Sequence, residues 1–365
     1  MSHSSKIFGL YLSDEEMDSV VSDDALVKKM LQFEIELARS QAKLRMIPKP
    51  AAWEISSVLS KIKIKPRELT DSTLLHGIPV IGLLSIVKKN LSQNGAQWIH
   101  YGATSQDAMD TAQVLIIRDA IHIILKRTAS LILQLEKIRK KFGQVPCMAR
   151  TRNQWALPVK FEVKIDAWKL PLQRQMQTIQ EILPRIYRVQ LGGATGDLKV
   201  YGSKGAALIK SLAAQLALNP SDSWHSQRDV FCALTNWLAI QSGILGKMGA
   251  DILVLSQSEI GELTENPNAG KSSSMVHKNN PVLCEALVAI ANMNANAQAM
   301  QLQSLVHKNE RDGASLILEW INIPQMLIHL GVSLKHAQSI WKTMIIHSDV
   351  MKKNVEAFHK QNENR

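Results

Sequence analysis

The chain has 365 residues, 45% hydrophobic and 21% charged, with 43 Lys and Arg against 32 Asp and Glu and a formal net charge of +11. This length excludes a single small module and leaves two units or one long helical body with a smaller head, while the globular balance and the lack of any unbroken apolar run of bilayer length argue against a membrane protein. The basic excess does not read as nucleic-acid binding, because the clusters Lys61 to Arg67 and Arg139 to Lys141 are spaced like solvated helix faces without interleaved aromatics, so attraction of a small polyanion is the stronger reading.

The polar start, Met1 to Lys6, lacks the apolar core of a signal peptide, and a soluble cytoplasmic protein is expected. Periodicity near 3.6 dominates and alternating patterns are scarce, so the chain is predicted to be all-α. Pro48 and Pro50 are predicted to close a first helical region. Trp98 to Asp107 is a polar, helix-breaking segment in which Thr104, Ser105 and Asp107 suit the cap of a following helix. That helix is predicted over 110–142, where Val114, Ile117, Ile121, Ile124, Leu125, Leu131, Leu135 and Ile138 describe one apolar stripe about seven or more turns long. The Gly-rich run Leu191 to Asp197, continued by Tyr201 to Gly205, marks a loop. Trp224 to Asp229 is a further polar segment, followed by a second long helix carrying Phe231, Leu234, Leu238, Ile244, Leu245, Met248, Ile252 and Leu255.

Residues 268–282 are the densest concentration of chemistry. Three consecutive serines, His277, Lys278 and the carboxamides Asn268, Asn279 and Asn280 lie between Pro267 and Pro281, with Gly270 among them. The prolines and glycine forbid regular structure, which predicts a loop able to close over an anion. Gly270-Lys271-Ser272 matches the end of a P-loop, but Glu265 stands where its first glycine belongs, so a nucleotide-binding reading fails. His225 and His277 have no spaced carboxylate or thiolate partners, and Cys147, Cys232 and Cys284 form no CxxC pair; no metal or cofactor is called for, and the thiols read as buried structural groups. Val282 to Val306 carries one charge, Glu285, beside Asn292, Asn294, Asn296, Gln298, Gln301 and Gln303. A segment that neutral is predicted to be a helix surrounded by other helices, at the centre of a multi-subunit bundle, with neighbours supplying partners for its carboxamides. The polar tail His359 to Arg365 is predicted to fray.

The segments His100-Tyr-Gly-Ala-Thr-Ser-Gln-Asp107, Gly192-Gly-Ala-Thr-Gly-Asp197, Trp224-His-Ser-Gln-Arg-Asp229, Gln257-Ser-Glu-Ile-Gly-Glu262, Lys271-Ser-Ser-Ser-Met-Val-His-Lys-Asn-Asn-Pro281 and Glu319-Trp320 occur in an order that resembles the signature regions of the fumarase/aspartase superfamily, most of all its muconate cycloisomerase branch. The resemblance extends from about residue 7 to about 357 and implies a long helical bundle whose subunits assemble into a tetramer with shared active sites. It divides the chain into an N-terminal helical domain (1–95), a central bundle (96–347) and a remnant (348–365) of an otherwise absent C-terminal domain. It implies a cofactor-free addition or elimination through a carbanion, here lactonisation of 3-carboxy-cis,cis-muconate in protocatechuate catabolism, with a small polycarboxylate as substrate and no nucleic-acid or membrane partner.

The catalytic candidates that follow are Ser272, Lys278 and His100. The substrate-binding candidates are Thr104, Ser105, Gln106, Arg150, Thr151, His225, Gln227, Ser273, Met275 and Asn280. Ser272 needs neighbouring cations and amide dipoles to exchange protons, which Lys271, Lys278 and a closed loop supply. The chain departs from the family pattern at Lys271 in place of a glycine, Val276 in place of a proline, and Arg152 and Trp155 where related lyases carry histidines, so no acid role is carried over to those two. An adenylosuccinate-type lyase and a silent oligomeric scaffold remain as alternatives.

Overall fold

The computed structural model describes residues 7–12, 14–275 and 277–362. Val276, the segment Met1 to Lys6 and the last three residues of the tail lie outside them.

The N-terminal part is a series of short helices around one longer one: α1 (Gly9–Leu12), α2 (Glu15–Val21), α3 (Asp23–Lys43), α4 (Lys49–Leu59), α5 (Thr70–His76), α6 (Val80–Lys89) and α7 (Gln93–Trp98). Asp14 and Ser22 cap α2 and α3 by accepting the Met17 and Ala25 N–H groups. Pro48 and Pro50 do not end a helix as predicted. Pro48 is the N-cap of α4 and Pro50 lies in its first turn, where the missing N–H costs no intrahelical bond.

The long elements follow: α8 (Ser105–Phe142), the hairpin β1 (Pro146–Thr151) and β2 (Gln154–Lys160), α9 (Glu162–Ile186), α10 (Gly205–Leu216), α11 (Asp229–Leu255), the two-residue strand β3 (Leu263–Thr264), α12 (Val282–Ser304), α13 (Gly313–Thr343), β4 (Ile345–Ile346), paired with β3, and α14 (Ser348–Asn362). The stripe predicted over 110–142 is the buried face of α8, whose basic last turn, Arg139 to Lys141, suits the negative end of its dipole. α14 continues through Asn362, so residues 359–362 are helical rather than frayed; the helix rests on β1.

α8, α9, α11, α12 and α13 form the bundle, with α3 laid along α8 and a hydrophobic core continuous from Met17 to Met351. α11 and α12 pack most extensively. Their approach depends on glycines: a Cβ on Gly246 would lie 2.5 Å from Ala291 Cβ and one on Gly249 2.7 Å from the Cys284 carbonyl. By length and composition α11 and α13 could each cross a membrane, yet 50% and 67% of their most apolar windows are buried inside this one chain.

Three of the six carboxamides of α12, Asn294, Gln298 and Gln301, find partners on neighbouring helices. Asn294 donates to Ser242 Oγ at 2.7 Å and meets His329 Nδ1 at 3.0 Å, while Asn322 donates to the Ala297 carbonyl and to Gln301. Within one chain, however, only one face of α12 is covered. Asn292, Met293, Asn296, Leu302 and Gln303 are exposed, and the one charge on that side of the helix is Glu285 in its first turn.

Candidate functional site

The first group of polar residues gathers at the start of α8. Asp107, fully buried, accepts five donors: the N–H groups of Thr104 (2.9 Å), Gly192 (2.9 Å) and Gly193 (3.0 Å), Gln190 Nε2 (3.2 Å) and His225 Nε2 (2.7 Å). One carboxylate thus ties the 98–107 segment, the Gly-rich loop and the 224–229 segment together. The glycines are required by space, since a Cβ on Gly192 would lie 2.3 Å from Ser223 Oγ, and Gly193 has φ +71°.

Beneath them lies a closed charge cluster. Arg228 is wholly buried and bidentate to Asp110 (2.8 and 3.0 Å), with its Nε and Nη2 on Glu319, and its guanidinium stacks on Trp224 and Phe231 at 5.0 and 4.8 Å. Burial raises the Glu319 carboxyl above its ordinary pKa despite the guanidinium beside it. The Gln106 carboxamide donates to Asp110 and to the His225 carbonyl and accepts Arg311 Nε at 2.9 Å.

Above this base, Thr104 and Ser105 stand half-buried at the positive end of a 38-residue helix, a ready place for a carboxylate. His100, at φ +60°, reaches Glu34 Oε1 at 2.6 Å. Burial alone would lower its pKa, but the Glu34 carboxylate outweighs that and raises it. Gln106 and His225 are buried, with their polar atoms engaged inside the chain, and Gln227 is exposed. Arg311, which the sequence reading missed, joins this group by bonding Gln106 and the Ala194 carbonyl. Its one signal is the charged run Lys308 to Asp312 between two nearly neutral helices.

The second group surrounds the 268–282 loop, which is irregular as predicted. Its base is clasped by Glu265, 2% exposed, whose carboxylate accepts the Leu283 and Cys284 N–H groups at 3.1 and 2.8 Å and so caps α12. The Tyr11 hydroxyl holds the Val282 carbonyl. Higher up, Asn280 N–H meets the Gly270 carbonyl at 2.8 Å and Asn279 Nδ2 donates to the Asn266 and Ala269 carbonyls. The tip carries half-buried Ser272, whose Oγ accepts the Met275 N–H at 3.1 Å and the Ser274 N–H at 3.4 Å, and exposed Ser273, Met275 and Lys278. Two backbone dipoles aimed at one hydroxyl oxygen favour its anionic form. A cavity of 700 Å³ opens beside the loop, lined by Gln257, Ser258, Glu259, His277, Lys278 and Asn280.

Arg150 belongs to this end as well. Its Nη2 lies 3.1 Å from buried Glu262, which also accepts Asn354 Nδ2 from α14. A second cavity, of 550 Å³, is bounded by Arg150, Asn153, Trp155, Glu259 and Phe358. Thr151 is exposed, and Arg152 and Asn153 make the hairpin tip with φ of 51° and 66°. The three cysteines are buried and free; burial pushes Cys147 and Cys232 up to about 11, which leaves them inert as nucleophiles at neutral pH.

The two groups do not meet in one chain. Arg311, just before α13, bonds Gln106 at the start of α8, whereas Thr343, at the far end of α13, bonds the Glu265 carbonyl beside the loop. The 31 residues of α13 put about 45 Å between them.

A family model described as a lyase matches residues 15–293. The chain is 32% identical over 355 residues to trans-aconitate decarboxylase 1 of Mycosarcoma maydis, spanning 96% of this chain and 71% of that protein. It is 30% identical over 350 residues to an N-acetyl-S-(2-succino)cysteine lyase of Enterococcus italicus, spanning 95% and 77%. The crystal structure of 3-carboxy-cis,cis-muconate lactonizing enzyme from Pseudomonas putida superposes with a TM-score of 0.91 at 31% identity, covering 96% of this chain and 80% of that one. The chain belongs to this lyase family, within the fumarase/aspartase superfamily, and is an enzyme of that superfamily.

Proposed function

We propose that the protein converts a small tricarboxylate by proton transfer at a carbon next to a carboxylate, without a cofactor, and that 3-carboxy-cis,cis-muconate of protocatechuate catabolism, closed to its lactone, is the substrate. The observation that carries this reading is Ser272, with two backbone N–H groups on its oxygen and Lys278 on the same short loop. In the forward direction a substrate carboxylate oxygen forms a bond to the ring-closing carbon. The electron pair of the broken double bond moves to the carbon beside another carboxylate, and that carbon takes the proton of Ser272. The resulting alkoxide is held by the two N–H groups and Lys278 until solvent reprotonates it. Thr104 and Ser105, at the positive end of α8, grip a carboxylate, as do Lys278 and Asn280. trans-Aconitate, N-acetyl-S-(2-succino)cysteine and 3-carboxymuconate are all tricarboxylates, which supports the class more strongly than any one member.

A tricarboxylate cannot span about 45 Å, so Ser272 and Thr104 act on one molecule only if they come from different copies of the chain. The exposed face of α12, which carries no charge beyond Glu285 in its first turn, supports assembly into a homotetramer through that face. The reading is tested by following the diene absorbance of 3-carboxy-cis,cis-muconate. Loss with the parent and a rate lower by about 10²–10⁴-fold with Ser272→Ala is the expected result. Thiol release from N-acetyl-S-(2-succino)cysteine, carbon dioxide from trans-aconitate or fumarate from adenylosuccinate, without lactonisation, would move the assignment. Substrate binding without turnover of any of them would mark a silent scaffold.

A further inference from the structure

Met30, Glu34, Leu37 and Gln41 fall four, three and four apart, on one buried face of α3. Two of them are polar, and both reach the turn that precedes α8. Gln41 Nε2 donates to the Tyr101 carbonyl at 2.7 Å, and Glu34 Oε1 meets His100 Nδ1 at 2.6 Å. The Tyr201 hydroxyl pins the same Tyr101 carbonyl from the other side at 3.0 Å. Glu34 is 1% exposed, and among the described residues His100 is its one hydrogen-bond partner. A buried ion pair is often no more stabilising than apolar residues of the same volume, so stability alone does not account for a carboxylate here. His100 also holds a left-handed backbone, φ +60°, which costs a residue that carries a Cβ.

The imidazole is 14% exposed, and among the described residues its Nε2 has no hydrogen-bond partner. With Nδ1 committed to Glu34, a neutral ring carries its lone pair on Nε2 and repels a carboxylate, whereas the imidazolium presents an N–H there. Burial opposes the imidazolium, as does Lys88 on α6; Glu34 on α3 and Asp107 on α8 favour it and together prevail. Thr104 and Ser105 follow four and five residues on, and Asp107, whose charge acts on the ring, also accepts the Thr104 N–H at 2.9 Å. We propose that Glu34 is a positioning residue for substrate binding: it fixes His100 as a rigid Nε2 donor beside Thr104 and Ser105, so that the three hold one carboxylate of the tricarboxylate. This deepens the function proposed above and rests on it for the class of ligand.

The test is calorimetric titration of the full chain with propane-1,2,3-tricarboxylate, which has no double bond to react and so reports binding whether or not the chain turns any substrate over. At pH 7.5 Glu34→Gln, which keeps the shape and an acceptor for Nδ1, is expected to bind about tenfold more weakly than the parent. The gap is expected to narrow at pH 5.5, where the variant's imidazole also takes up its proton, and to vanish at both pH values in a His100→Gln background. Glu34→Asp, which draws the carboxylate back by one methylene, stands in if Glu34→Gln does not fold; its binding at pH 7.5 should weaken too, again only with His100 present. A gap of the same size at both pH values, or one that persists without His100, would mean that Glu34 acts only through the fold and would overturn the proposal. Equal binding by parent and variant, or no saturable binding by the parent, would overturn it as well. Failure of the lactonisation assay with the pH-dependent gap intact would strike the reaction assigned above and leave the positioning role standing.

Discussion

Replacing Arg228 by Met tests what holds the start of α8 in place. The guanidinium is 0% exposed and serves two carboxylates that are also 0% exposed, Asp110 and Glu319. Met fills much of the same volume between Trp224 and Phe231 but supplies neither charge nor donors, so the variant leaves two buried carboxylates facing each other. Removing one partner of a buried ion pair costs about 3–5 kcal/mol, against a typical domain stability of about 5–15 kcal/mol. Glu319→Gln leaves Arg228 balanced by Asp110 and keeps one acceptor, so it is expected to cost at most about 1 kcal/mol. Because the folded pKa of Glu319 is raised, its contribution to stability is fully present below its unfolded pKa, near 4.3, and is lost as pH rises through the folded value. Glu319→Gln should therefore compare better with the parent at pH 7.5 than at pH 4.5. Urea unfolding at fixed protein concentration measures both variants. An Arg228→Met cost below about 1 kcal/mol, or a Glu319→Gln cost equal to it, would refute the cluster's assigned role.

His100→Gln should lower stability by about 1–2 kcal/mol at pH 6 and by much less at pH 9. The raised imidazole pKa makes the Glu34 pair contribute fully below about 6.5 and vanish as pH rises through the folded value; equal loss at both pH values would contradict the pairing. Glu265→Ala uncaps α12 and loosens the loop base, with about 1 kcal/mol lost and kcat falling more than KM rises, while Glu265→Gln keeps part of the cap and recovers part of kcat. Unchanged kcat in Glu265→Ala would mean that the clasp does not position Ser272.

Elements whose patterns are local were legible in the sequence. The stripe from Val114 to Ile138 gave α8, and Thr104 with Asp107 marked its cap. The prolines and glycine of 268–282 foretold an irregular loop, and the neutral run from Val282 foretold a helix, of whose carboxamides Asn294, Gln298 and Gln301 are met by other helices while Asn292, Asn296 and Gln303 stay exposed. What stayed hidden depends on tertiary distance. Nothing in the sequence says that the Asp107 carboxylate collects His225 and the Gly-rich loop, or that Gln106 and His225 spend their hydrogen bonds within the chain. Pro48 and Pro50 read as a stop because proline ends and begins helices alike. Arg311 was obscured as one charge among several, and the length of α13, which parts Ser272 from Thr104, matters only once both ends are placed.

The central claim, that a working site needs both groups from different copies, is tested by mixing two inactive variants. Ser272→Ala and Thr104→Ala/Ser105→Ala chains are unfolded together, refolded at equal ratio and assayed on whichever tricarboxylate the parent turns over. Random assembly leaves about one quarter of sites with both groups intact, so about a quarter of parental activity should return. No recovery in a mixture that has reassembled to the parent's size would contradict the account.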